Sequence, residues 1–283
     1  MQKTSNLAIK SIHVQPFYED IAILLDIYQD GDTLTDMLPK IQKTSCSPTS
    51  SAYPLEWVAS EILQPQVLEL GSALMLKKLC HFLPVKNFRQ IIRCFAILSN
   101  ETLKNFMVSV VFNLKNSGFT ALTAKQVYDF SLSTLNKSAS SGKHLNDSSY
   151  NSSQKVDGER YDQEAIQLTK TLLKTLHEHK IIRPAKANQN SRMLAYSFDQ
   201  LDLYDTTLVF LMHWLRDQGY AGDDVINHRM WSYLGMDRKA LVQRLYSAPL
   251  DGFFLNANDM YPKLVYKYNN TNEALNRLKL IST

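Results

Sequence analysis

Apolar residues recur at helical spacing along most of this chain. Phe17, Ile21, Leu24, Leu25 and Tyr28 repeat at three and four and form one stripe. Asp30-Gly31-Asp32 interrupts it, and a short helix is predicted over 33–42. After a Ser/Thr/Pro loop at 44–54, Trp57, Val58, Ile62 and Leu63 mark the inner side of a further helix. Helices are also expected over 68–83, 85–99 and 103–114, the last ended by Asn116-Ser117-Gly118. Short connections between such segments describe a helical bundle over residues 1–120.

The pattern then changes. Thr123 is placed to cap a helix running to about Leu135. Lys137 to Gly158, rich in Ser, Asn, Gly and Lys, lacks a core-forming pattern and is expected to be a disordered insertion. From Tyr161 to about His179 a helix resumes. Ala165, Ile166, Thr169, Leu172, Leu173 and Leu176 are assigned to one side, and Gln167, Lys170, Thr171 and Lys174 to the other. Residues 181–186 and 192–198 flank Asn188-Gln189-Asn190-Ser191, whose turn chemistry predicts a hairpin.

A similar order recurs from 205. An apolar helix ends at Gly219, and a second is predicted over 223–233. A third, capped by Asp237, buries Leu241, Val242 and Leu245 and turns Lys239, Gln243, Arg244 and Ser247 outward. Residues 253–256 and 264–268 then form a hairpin. The fold class expected is mainly α: a bundle at 1–120, a winged-helix-like unit at 121–198 interrupted at 137–158, and a second such unit at 199–283.

Composition narrows the function. Only 9 glycines occur, which argues against glycine-rich phosphate loops. No apolar run approaches the roughly 20 residues of a membrane span, and the first ten residues lack a signal-peptide core, so a cytoplasmic location is expected. Cys46, Cys80 and Cys94 are odd in number and lack C-x-x-C spacing, so reduced structural thiols are expected in place of a disulfide or metal centre. The net charge of +4 is modest, but its distribution is uneven. Residues 199–224 hold six Asp against one Arg, residues 160–198 seven basic against three acidic, and residues 229–283 eight against four. Such basic segments suit a polyanion partner or a solvated surface.

A winged helix presents its third helix to the major groove and its hairpin to the backbone. The candidate DNA contacts are therefore Lys239, Gln243 and Arg244 on the third helix of the second unit, with Lys263 and Lys267 on its hairpin. In the first unit they are Lys170 and Lys174, with Arg183, Lys186 and Arg192 on the hairpin. Lysines neutralise phosphates without reading sequence, and only Gln243 and Arg244 suit base edges.

The chain has no P-loop, dinucleotide fingerprint, nucleophile elbow or H-E-x-x-H motif. His177 and His179 diverge by about 200° on a helix, so they form no ligand pair. Asp223-Asp224 suits a helix start, and His213 a core position. No catalytic residue, cofactor or metal ligand is expected.

The segment LVFLMHWLRDQGYAGDDVINHRMWSYLGMDRKALVQRL from Leu208, with the hairpin ending LVYKY, resembles the C-terminal part of the BrxA family of bacterial BREX phage-defence systems. PLEWVASEIL at 54–63 is similar to that family's mid-bundle segment, as is the long helix ending His179-Lys180-Ile181-Ile182 before a hairpin. The resemblance implies a cytosolic double-stranded-DNA-binding accessory protein without catalysis, with a bundle similar to NusB. The alternative is a protein–protein adaptor that assembles other BREX components, and an RNA partner ranks third.

Overall fold

The computed structural model describes residues 17–44, 53–141, 154–185, 195–199, 201–246, 250, 254–256 and 264–282. The fold is mainly helical, with a small three-stranded antiparallel sheet and one further two-stranded ladder. The chain packs as two compact units. One contains Asn100–Leu201; the other combines Phe17–Ser99 with Asp202–Thr283. Helices on either side of the inserted stretch share one core, which is why the second unit is discontinuous.

In the discontinuous unit, helices α1 (Tyr18–Ile27), α2 (Leu34–Thr44), α3 (Leu55–Val58), α4 (Ala73–Leu79) and α5 (Val85–Ser99) come first. The expected stripe is real: Phe17, Ile21, Leu24, Leu25 and Tyr28 are all buried. Beyond α3 the backbone widens into a π-helix over Ala59–Leu68, which contains Pro65. Proline has no N–H to donate and collides with the carbonyl four residues back in an α-helix. The wider turn, with Glu69 N donating to Gln64 O at 2.9 Å, accommodates it.

The later part of this unit holds α10 (Asp205–Asp217), the β4–β5 hairpin (Phe254–Asn256, Leu264–Tyr266) and a closing helix, Thr271–Ser282. Residues Thr207 to Leu215 of α10 are buried all round, since α10 lies against both α5 and the closing helix. Phe95 of α5 meets Phe210 and Trp214 edge-on, at centroid distances of 6.0 and 5.3 Å. The Trp214 indole N–H donates to Leu70 O at 2.8 Å. Buried Gln90 bridges the approach to α10, donating to Asp202 O at 3.0 Å and accepting from Tyr204 N at 2.7 Å.

The single helix predicted over 223–233 is two short ones, α11 (Asp223–Ile226) and α12 (Met230–Tyr233). Asn227-His228-Arg229 breaks them, and the Trp231 indole donates back to Val225 O at 2.6 Å. Helix α13 (Arg238–Leu245) follows, with Asp237 Oδ1 accepting from Ala240 N at 2.7 Å, the expected cap.

The inserted unit starts with α6 (Glu101–Phe106), capped by Asn100 and prolonged through a π segment (Met107–Phe112) into α7 (Asn113–Asn116). Strand β1 (Ala121–Thr123) leads into α8 (Ala124–Ser141). Here Thr123 and Gln126 form a reciprocal cap: Thr123 N donates to Gln126 Oε1 at 2.8 Å and Gln126 N to Thr123 Oγ1 at 3.3 Å. Helix α9 (Gln154–Glu178), strand β2 (Ile182–Pro184) and strand β3 (Ala195–Phe198) complete it. β3 lies between β1 and β2 and is antiparallel to both. The ends of the expected insertion, 137–141 and 154–158, are helical, because α8 and α9 extend further than the apolar pattern alone marks. Residues 142–153 lie outside the described part.

No described helix is long and apolar enough to cross a membrane.

Candidate nucleic-acid interface

In the inserted unit, α8 and α9 pack through Val127, Ser131 and Leu135 against Ala165, Leu168, Thr169, Leu172 and Leu176. The buried contact includes one hydroxyl pair, Thr169 and Ser131, whose oxygens are 3.1 Å apart. With that face fixed inward, Lys170 and Lys174 stand exposed one turn apart. Ile166, expected inside, is 44% exposed and precedes Lys170 by four residues, so it extends the same strip outward. Arg183 is exposed on β2, paired in register with Ser197. Lys186 and Arg192 lie outside the described residues.

The turn from α9 to β2 contributes a cation that the sequence reading did not select. Lys180 is exposed and adopts φ 54°, a left-handed conformation. Around it Lys180 N donates to His177 O at 2.9 Å and Ile181 N to Leu176 O at 2.8 Å, a helix stop usually built on glycine. Gly219 makes the same stop after α10, donating to Arg216 O while Tyr220 N donates to Leu215 O. Only the order His-Lys-Ile-Ile, an apolar pair straight after a basic helix end, hinted at this turn. Lys170, Lys174, Lys180 and Arg183 make no ion pair among the described residues. Exposed Glu178 lies four residues beyond Lys174 and offsets part of the positive potential.

The second candidate face is α13 and its hairpin. Leu241 and Leu245 are buried, Val242 is half-buried, and Lys239 and Gln243 are exposed, as the periodicity required. Exposed Arg238 follows the cap and donates through Nε to Asn227 Oδ1 at 3.0 Å. Arg244 is placed differently from its neighbours. Its guanidinium turns inward, paired with the Asp205 carboxylate and donating to Leu203 O at 3.1 Å. Lys267 is exposed just past β5, and Lys263 and Ser247 lie outside the described residues.

Other polar features of this unit suit an anion poorly. An open cleft of about 400 Å³ is lined by Asp30, Asp32 and Asp217 as well as Lys78. His213 is fully buried, as expected of a core histidine, and burial with the nearby Arg216 charge lowers its pKa to about 4. His177 is exposed and His179 buried, so the two rings part as the helix geometry predicts. Asp223 and Asp224 sit exposed in the first turn of α11.

No family model, no curated protein and no solved structure matches the chain.

Proposed function

We propose that this protein binds double-stranded DNA without catalysing a reaction on it, holding mainly the phosphate backbone with little sequence preference. The observation that carries this reading is the inserted unit's layout. Helix, β1, two helices and the β2–β3 ladder follow one another, with β3 central, an order that supports a winged-helix reading. In that arrangement the helix before the hairpin faces the groove, and here that helix is α9. Lys170 and Lys174 are exposed cations of α9, and Lys180 and Arg183 continue them to the hairpin.

The resemblance to BrxA supplies a setting, an accessory role in a BREX-type phage-defence system. Topology and charge support DNA binding independently of it. Around α13 a protein partner is the stronger second reading. Tyr246 and Val265 there are 54% and 40% exposed, and apolar side chains of that size suit an adaptor contact with another defence component better than a phosphate.

Fluorescence anisotropy with an arbitrary labelled duplex, titrated from about 50 to 200 mM salt, tests the proposal. The expected result is affinity falling linearly with salt on logarithmic axes. Absence of binding at the lowest salt overturns it in favour of the adaptor, and tighter binding of an RNA hairpin than of the duplex overturns the choice of DNA.

A further inference from the structure

We propose that Asp26, Cys80 and His81 bind one divalent transition-metal ion of the zinc type. Asp26 lies in the last turn of α1, and Cys80 and His81 follow directly on α4. One ligand atom from each falls within 4.8 Å of the other two. Nothing in the spacing of the cysteines announces this, because the third donor comes from a helix more than fifty residues earlier.

The two segments are fastened to each other independently of any ion. Lys77, on α4, donates through Nζ to the main-chain carbonyls of Asp26, at 2.9 Å, and Tyr28. That clamp fixes the end of α1 beside the end of α4. It also directs the ammonium group at backbone oxygens, while the carboxylate of Asp26 is held by His81, with Nε2 and Oδ1 2.6 Å apart. The lysine charge nearby weakens the site without occupying it.

Zinc–ligand lengths of about 2.0–2.3 Å in a tetrahedron set the separations between donors at roughly 3.4–3.6 Å. The His81–Asp26 contact, at 2.6 Å, must therefore open by about 1 Å, and the other two separations, each within 4.8 Å, have at most a little over 1 Å to close. The side chains are suited to that adjustment. His81 and Asp26 are 61% and 51% exposed, so they can turn without disturbing the core once their mutual contact opens, whereas Cys80 is half-buried and anchors the set. Its thiol gives up one weak bond, to Lys77 O at 3.3 Å, when metal binding displaces its proton to solvent.

The donor set selects the ion. One sulfur, one imidazole nitrogen and one carboxylate oxygen suit zinc or cobalt and not magnesium or calcium, which require oxygen ligands. Three protein ligands leave a fourth position for water or for a side chain of a bound partner.

Cobalt titration of the full-length, reduced protein tests this by absorbance. The expected result is a thiolate-to-cobalt charge-transfer band that saturates at one equivalent and is bleached by zinc. Cys80→Ser abolishes the band, and His81→Ala or Asp26→Asn weakens cobalt affinity at least about tenfold. Circular dichroism of each variant checks the fold. Should Cys80→Ser fail to fold, the two variants at exposed positions decide the matter. No band with the wild-type chain, an undiminished band in Cys80→Ser, or unchanged affinity in both His81→Ala and Asp26→Asn overturns the proposal.

Discussion

Arg244 is held by Asp205: the guanidinium at the end of α13 reaches back to the first residue of α10 and also caps the Leu203 carbonyl. The pair lies partly in solvent, with side chains 31% and 38% exposed, so it contributes at most about 1 kcal/mol. Its importance is positional, since a guanidinium engaged on its own backbone is withdrawn from a ligand. Arg244→Ala is therefore expected to leave the salt slope of DNA binding unchanged. If α13 contacts phosphate, Lys239→Ala lowers that slope by about 0.9. Anisotropy at several salt concentrations separates the two variants.

Charge reversal on α9 tests the proposed DNA-binding surface. Lys170→Glu with Lys174→Glu removes two exposed cations that no described carboxylate pairs with. The magnitude of the salt slope should fall by about 2 and affinity should drop across all duplex sequences alike, with the thermal midpoint nearly unchanged. An unaltered slope would remove α9 from the interface.

Lys180 offers a case in which stability and binding move in opposite directions. A side chain at φ 54° is strained by about 1 kcal/mol relative to glycine. Lys180→Gly relieves that strain and deletes a cation, although the more flexible unfolded chain returns part of the gain. The expected outcome is a thermal midpoint equal to or above wild type with weaker DNA binding. Thermal melts and anisotropy on one preparation check both.

Acid should weaken the discontinuous unit through His213. The unfolded imidazole takes up a proton near pH 6.5, whereas the folded one resists protonation down to about pH 4. Between these values the unfolded chain binds more protons, so acidification favours unfolding. The stability is complete above pH 6.5 and is lost as the pH falls to 4, a loss on the order of 2–3 kcal/mol. Urea melts across that range measure it, and His213→Leu should flatten that part of the profile.

Periodicity made the secondary elements legible wherever one face is buried. Every member of the Phe17–Tyr28 stripe is in the core, and the caps at Thr123 and Asp237 form as their side chains suggested. The short strand Ala121–Thr123 was not readable, because three residues carry no alternation and its partner, β3, lies more than seventy residues later. Nor was the break at Asn227-His228-Arg229, which arises from Trp231 folding back onto Val225. Exposed Lys170 and Lys174 followed from the helical pattern, whereas Lys180, in the turn after the helix, did not. The inward turn of Arg244 did not, because its acceptors are on a segment about forty residues away.

The interruption of one unit by another sets an order of events during synthesis. The described residues of the inserted unit all fall within Asn100–Leu201 and leave the ribosome one after another. Helix α5 emerges earlier yet must wait for α10, so Phe95 lacks Phe210 and Trp214 while the intervening residues are made. At about 5–20 residues per second that interval lasts roughly 5–20 s, during which the apolar side of α5 is open to chaperones or to misassociation. Nascent chains stalled shortly before residue 205 are thus the species most prone to aggregate, and the inserted unit is the first part of the protein able to reach its final form.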